Sequence, residues 1–203
     1  MCSRLGIPAL CNVGDVCFLC NLPMDNMGYH MAVCQKAGSF SHRHNALRDI
    51  IFKFCQQAAM SPILEHHCFP SQAGLRADVY LPNGGGFGCD GVALDVTVVH
   101  PLQGSILPKS SKAPLQGCLH GEAVKHTKYD EVCERENISI IPLAVEFFGC
   151  WGKEATGFFE VVAKNVACRF NSSEADALLQ LYRQLSVCLV RYNAKAVLKR
   201  LPG

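Results

Sequence analysis

The amino-acid sequence predicts an α/β fold, and three observations support this class. Apolar residues make up 49% of the 203 positions, which is enough to bury a sizeable core. Apolar side chains recur at helical spacing in some segments and form short strand-like runs in others. Along the chain the order is one helix, three strands, one helix, one strand and two helices, which is typical of an α/β arrangement.

The first predicted helix begins at Asn45. From there Leu47, Ile51 and Phe54 fall on one face at helical spacing, over about four turns. Pro62 ends the pattern, because proline lacks the backbone N–H that a helix interior requires. We therefore expect an amphipathic helix that opens the main domain.

The later elements follow from shorter patterns. Apolar runs at 63–68, 75–81 and 92–99 predict strands, and the glycine-rich stretch 83–86 is typical of a hairpin turn. Proline, serine and lysine at 101–114 predict a surface loop. The remaining predicted elements are a helix at about 122–136, a strand at 138–148, a turn at 149–152 and helices at about 153–169 and 172–200. Ser172 or Ser173 is a suitable N-cap for the last helix.

The composition excludes several classes of protein. No apolar stretch approaches the roughly 18–20 residues that a membrane-spanning helix needs, and the N-terminus lacks the pattern of a signal peptide. The thirteen cysteines are odd in number and mostly stand singly within apolar stretches, so we interpret them as reduced thiols. These features predict an intracellular protein with no membrane partner. The net charge of +2 neither requires nor excludes a polyanionic partner.

The first candidate site consists of Cys17, Cys20, His30 and Cys34. Two cysteines separated by two residues can place both sulfur atoms on one metal ion, and a histidine and a cysteine one helical turn apart can complete a tetrahedron. Zinc suits this set of three sulfur atoms and one nitrogen atom. Because four protein ligands leave no open position for water, the predicted Zn2+ site is structural.

The histidine ligand of this zinc site stays open at this point. His42 and His44 lie close enough in the sequence to replace His30. The change from a segment rich in Cys and His to regular periodicity divides the chain into a predicted zinc-knuckle region at 1–45 and a larger domain at 46–203.

The second candidate site combines two acids with a lysine. Asp78 and Asp95 each lie within an apolar strand, where a carboxylate is costly unless it is paired or bound to a metal. On neighbouring strands the two carboxylates can hold one Mg2+ ion, which prefers oxygen ligands. Lys125, with Lys128 and Tyr129 near the same helix face, would stabilise developing negative charge. Together these residues predict metal-assisted phosphodiester cleavage.

A structural interpretation of the same residues is also open. Asp78 would then pair with Arg76 or another cation, Asp95 would cap a strand end, and the lysines would lie in solvent. Glu65 is a further candidate acid for this site.

Several short motifs, taken in order, resemble the C-terminal part of R2-type, site-specific non-LTR retrotransposon proteins. In that family a CCHC zinc knuckle precedes a restriction-endonuclease-like domain of the PD-(D/E)XK superfamily. The likeness extends over about residues 17–151 and includes the knuckle described above. Its other motifs are Arg43-His44-Asn45, Arg76-Ala77-Asp78, Asp95-Val96-Thr97 and Lys125-His126-Thr127-Lys128-Tyr129.

The resemblance implies a PD-(D/E)XK core, which is a mixed sheet flanked by helices. We expect the strands of Asp78, Asp95 and Val145 to lie in one sheet. The first predicted helix should cover one face of that sheet, and the helix of Lys125 should cover the other.

The resemblance also implies a Mg2+-dependent DNA endonuclease that nicks target DNA in the nucleus. Asp78 and Asp95 would hold Mg2+, Lys125 would be the catalytic lysine, and Lys128 would assist it. The chain departs from the family at Ala77, which replaces a proline, and in a long segment between Asp95 and Lys125. Because no reverse-transcriptase segment is present, we interpret the chain as a fragment, a decayed copy or a domesticated domain.

Residues predicted to contact nucleic acid come from the motifs and from the basic end of the last helix. They are Arg43, His44, Arg76, Tyr129, Lys195, Lys199 and Arg200. A solvated helix face explains the last three residues equally well. The alternative function is a catalytically inactive, zinc-stabilised nucleic-acid-binding or scaffold protein, with DNA, RNA or a ribonucleoprotein as partner. A structural zinc protein without a nucleic-acid role is a third interpretation, and the sequence does not indicate an oligomeric state.

Overall fold

The computed structural model describes residues 16–17, 19–26, 29–34 and 36–199. Its α-helices are α1 (Tyr29–Val33), α2 (Ser39–Gln57), α3 (Leu107–Ser110), α4 (Gln116–Glu136), α5 (Lys153–Phe170) and α6 (Glu174–Leu198). Its strands are β1 (Ile63–His66), β2 (Ala77–Pro82), β3 (Gly91–Val99) and β4 (Ile138–Glu146). Within the described ranges, no helix combines the length and the apolar character needed to cross a membrane.

The strands form a mixed sheet in the order β1-β2-β3-β4. The first two pairings are antiparallel, and β3 pairs with β4 in parallel. Helix α4 supplies the crossover that a parallel pair of strands needs. The predicted α/β class is therefore confirmed, with the strand that contains Asp95 in the interior of the sheet.

Helices cover both faces of the sheet. Alternate residues of β2 and β3, such as Val79 and Leu94, join one buried cluster with residues of α2, α5 and α6. On the opposite face, Ala93 packs with Tyr129 and Val132 of α4. The expected arrangement, with the first long helix and the Lys125 helix on opposite faces, is confirmed.

Several element boundaries differ from the predicted ones. Helix α2 begins at Ser39 rather than at Asn45, directly after Gly38, which has a φ of 65°. Helix α2 thus runs through the predicted domain boundary at 45. Helix α4 begins at Gln116 rather than at about 122. The sequence pattern did not reveal its first turns, because they have glycines at positions where an amphipathic helix has apolar side chains. The predicted loop at 101–114 contains the short helix α3.

A glycine on α4 allows this helix to lie directly on the sheet. A Cβ atom at Gly121 would lie 2.9 Å from Val99 Cγ2 and 3.2 Å from Thr97 Cγ2, which is closer than normal packing permits. Lys125 follows Gly121 by four residues, and its Nζ atom lies 2.6 Å from Asp95 Oδ1 on β3. The glycine therefore permits the close approach of α4 to β3 at the turn before Lys125.

Candidate functional site

The predicted zinc ligands are brought together near the start of the described chain. The ligand atoms of Cys17, Cys20, His30 and Cys34 all lie within 4.8 Å of one another. The sulfur atoms of Cys20 and Cys34 are 3.8 Å apart, and two sulfur atoms each about 2.3 Å from a tetrahedral zinc ion lie about 3.8 Å apart. The cluster could therefore hold a metal ion such as zinc.

Local hydrogen bonds build this cluster. The backbone N–H groups of Cys20 and Asn21 both donate to the carbonyl oxygen of Cys17, which forms the tight turn between the first two ligands. The carboxylate of Asp25 then accepts from the backbone N–H groups of Tyr29 and His30, at 2.9 and 2.7 Å, and so caps the first turn of α1. The turn positions Cys17 and Cys20, and the cap fixes the start of the helix that carries His30.

The structure selects His30 among the three candidate histidines. The Nε2 atom of His30 lies 3.2 Å from Cys20 Sγ. His44 instead makes a 3.1 Å contact with the carboxylate of Asp78, and His42 lines a surface cavity beside α6. His42 and His44, the two alternative histidine ligands, therefore lie outside the Cys/His cluster.

The knuckle packs against the main domain through an aromatic contact. The ring of Tyr29, next to His30, meets the buried ring of His100 edge-on with 4.8 Å between centroids. His100 in turn contacts Phe147 at the same centroid distance. Burial, and secondly the charge of Arg43, lower the pKa of His100 to about 4, so its ring is neutral in this apolar setting.

Three acidic residues, which we call the acidic row, fall at neighbouring register positions of the first three strands. The pairing of Leu64 with Val79 and of His66 with Ala77 places Glu65 opposite Asp78. The pairing of Val79 with Leu94 places Asp78 opposite Asp95. The predicted acidic pair is thus brought together, with Glu65 as its neighbour on β1.

Asp95 is the buried member of the row, with 5% of its surface exposed. Its Oδ1 atom lies 2.6 Å from Lys125 Nζ, and its Oδ2 atom accepts a 2.9 Å hydrogen bond from the hydroxyl of Tyr129. Burial, and then the Asp95 charge, raise the pKa of Tyr129, so the phenol keeps its proton and donates it. Lys125 and Tyr129 are four residues apart on α4, and both side chains therefore reach the same carboxylate.

Asp78 lies where the β2–β3 ladder ends. Its Oδ2 atom accepts a 2.7 Å hydrogen bond from the backbone N–H of Val96, and its Oδ1 atom contacts Nε2 of His44. The hydrogen bond with Asp78 raises the pKa of His44. Helix α2 therefore contributes a hydrogen-bonding side chain, His44, to Asp78, and α4 contributes Tyr129 to Asp95.

Glu65 links two arginines at the edge of the site. One of its carboxylate oxygens pairs with Arg48 of α2, and the other lies 2.8 Å from Arg76. The candidate auxiliary acid is therefore placed next to the predicted pair. Sequence reasoning missed Arg48, although it stands four residues after His44 and so shares its helix face.

The remaining predicted residues fall into two groups. Lys128 is exposed, and its Nζ atom lies 3.1 Å from the hydroxyl of Tyr129, at the rim of the acidic site. Arg43 is only 3% exposed; its guanidinium donates to Asn193 Oδ1 and lies over the ring of Phe147. A guanidinium buried in this way contacts α6 rather than a nucleic acid. Lys195 of α6 and Lys199, its C-cap, line a cavity to which none of the acidic-row residues contributes. Arg200 is outside the described residues.

The acidic row presents carboxylate oxygens. Carboxylate oxygens are the ligands that Mg2+ prefers, and each oxygen of Asp78 and Asp95 has a second lone pair beyond the hydrogen bond it accepts. Within the described part of the chain, however, the Cys/His cluster is the one group of three or more metal-ligand side chains with all ligand atoms within 4.8 Å. The Asp78 and Asp95 carboxylates are instead each paired with a nitrogen-containing side chain, His44 and Lys125.

The chain matches no protein-family model and no curated protein sequence.

Proposed function

We propose that this chain is a divalent-metal-dependent endonuclease that hydrolyses phosphodiester bonds in DNA. The observation that carries the proposal is the register of β2 and β3, in which Asp78 lies opposite Asp95 beside Lys125. Two carboxylates that can share a cation, with an ammonium group at one of them, are the groups that metal-assisted phosphodiester cleavage requires. The motif resemblance to R2-type retrotransposon proteins supports DNA as the substrate and the nucleus as the location.

In this proposal Asp78 and Asp95 would hold Mg2+. The cation would supply an activated water molecule and charge stabilisation at the phosphate. Lys125 has a further role of its own: its ammonium group stabilises the negative charge that develops on the phosphate oxygens. Tyr129 holds the Asp95 carboxylate in place by its hydrogen bond. Arg76 pairs with Glu65, but 56% of its side chain is exposed, and its remaining N–H groups would donate to a DNA phosphate at the edge of the site.

We further propose that the cation at the Cys/His cluster is Zn2+ with a structural role. Four protein ligands complete a tetrahedral shell and leave no position for substrate. The contact between Tyr29 and His100 supports a role in fixing the knuckle to the main domain.

The test is nicking of supercoiled plasmid DNA by the zinc-loaded chain, with and without Mg2+. Asp95→Asn should reduce nicking to background, because it removes a charged metal ligand but keeps a side chain of the same shape. Lys125→Ala should reduce the rate by about 10²–10³-fold, the range for loss of one electrostatic stabiliser. Lys128→Ala should cost less and act mainly on DNA affinity. A greater loss from Lys128→Ala than from Lys125→Ala would contradict the assigned roles.

One observation favours a second candidate function. Without a metal ion, every oxygen of Asp78 and Asp95 already has a protein donor, and Lys125 pairs directly with Asp95. The two carboxylates therefore need no metal ion to compensate their charge, which is compatible with an inactive nucleic-acid-binding scaffold. DNA or RNA binding by the unmodified chain, without metal-dependent cleavage at any Mg2+ or Mn2+ concentration, would replace the enzyme with this scaffold.

A further inference from the structure

A basic groove runs between α2 and α6, on the side of α2 that faces away from the acidic row. Its larger part is a cavity of about 790 Å³ beside the start of α2, and a second cavity of about 410 Å³ continues it along α6. Ala46 and Tyr192 line both cavities, so the two form one continuous surface. We call this surface the α2–α6 groove.

The charge of the groove is positive. Arg183, Arg191 and Lys195 of α6 line it, as does Lys199 directly after the helix, and all four are exposed. In the described part of the chain, none of these four side chains has a carboxylate oxygen within 4.0 Å. Asp49 is the one acidic residue among those that line the two cavities, and Arg48 already pairs with it. Four cations in one groove favour a polyanion.

The floor of the groove is apolar and carries an aromatic ring. Ile50 and Val187 line one end and Leu198 the other, with the half-buried ring of Tyr192 between them. Nζ of Lys195 lies 5.0 Å from the centre of that ring. Cations along a groove with an aromatic platform are the combination that binds single-stranded nucleic acid, in which phosphates and unstacked bases are both available.

The groove lies on a different side of α2 from the acidic row. Along α2, His42, Asn45 and Asp49 line the groove. His44 and Arg48 point instead towards the acidic row. A strand in the groove would therefore lie on a different surface from a phosphodiester at Asp78 and Asp95.

We propose that the α2–α6 groove binds single-stranded nucleic acid, with phosphates at the α6 cations and bases against Tyr192 and the apolar floor. This surface is separate from the proposed nuclease site and does not depend on its activity. In this proposal Lys195 and Lys199 bind single-stranded nucleic acid in the groove and do not belong to the cleavage site.

The test is fluorescence anisotropy of a labelled 20-nucleotide single strand with the full zinc-loaded chain, in buffer without Mg2+. Because no cleavage occurs there, an inactive nuclease site leaves the result unaffected. Lys195→Glu/Lys199→Glu should weaken binding at least tenfold. It should also reduce the slope of log affinity against log salt concentration by about 1.4, because each of the two lost phosphate contacts accounts for about 0.7. The matched control, Lys112→Glu/Lys164→Glu, makes the same change of net charge at exposed sites on other elements.

A second variant tests the aromatic contact. Tyr192→Leu should weaken binding about fivefold or more while leaving the salt slope unchanged, because it removes stacking and no charge. Equal losses in the Lys195/Lys199 variant and its control would overturn the proposal. So would tighter binding of a duplex of the same sequence, or displacement of the strand by polyglutamate as effectively as by unlabelled single strand.

Discussion

The ion pair between Lys125 and Asp95 yields a quantitative prediction. Removal of one partner of a buried pair typically costs about 3–5 kcal/mol, because the other charge is left without compensation. Here 20% of the Lys125 side chain is exposed, and Asp95 keeps its hydrogen bond from Tyr129. We therefore expect Lys125→Met to lower the free energy of unfolding by about 2–3 kcal/mol, a value reduced for this partial exposure.

A double-mutant cycle in urea, at pH 7 without Mg2+, measures the coupling. Asp95→Asn/Lys125→Met removes both charges together, so it should be more stable than Lys125→Met, with a coupling energy of about 2 kcal/mol. Lys128→Met is the matched control on the same helix, and it should change stability by less than about 0.5 kcal/mol. Added Mg2+ should restore part of the stability of Lys125→Met, since a cation can then compensate Asp95. A coupling energy below about 0.5 kcal/mol would refute the reasoning.

Three further predictions concern the knuckle and two buried titratable groups. Cys20→Ser should abolish zinc binding, measured as metal per chain, and increase hydrogen exchange before Ser39 while the main core stays protected. Because the pKa of His100 is lowered to about 4, stability should fall by up to about 3 kcal/mol as pH drops from about 6.5 to 4, and His100→Phe should lack that loss in urea titrations. Burial, and then the charge of Glu154, raise the pKa of Glu122, so stability is lost as pH rises through that pKa. Glu122→Gln should therefore be more stabilising at pH 8 than at pH 5, and a variant less stable than wild type at pH 8 would contradict this.

The sequence predicted those site residues whose contacts follow from local spacing. The zinc ligands are close in the chain, and turns of a few residues bring them together. Lys125 and Tyr129 share a helix face at a spacing of four, so one carboxylate can receive both. Asp78 and Asp95 were recognisable because a carboxylate in an apolar strand needs a partner.

The other contacts depend on register and on distant packing, which local spacing does not specify. The place of Glu65 opposite Asp78 follows from the pairing of β1 with β2, and its link to Arg48 joins elements that no short motif connects. The burial of Arg43 depends on Asn193, which is 150 residues away in the chain. The start of α2 was misplaced because its first turns, before Asn45, are polar on most faces.

The central claim is that Asp78 and Asp95 together hold a divalent cation. Titration of the zinc-loaded chain with Mn2+, with free Mn2+ measured by electron paramagnetic resonance in the presence of duplex DNA, tests this claim most directly. We predict saturable Mn2+ binding that Mg2+ displaces, and an affinity at least tenfold lower in both Asp78→Asn and Asp95→Asn. Binding curves for the two variants that coincide with that of the wild type would contradict the account.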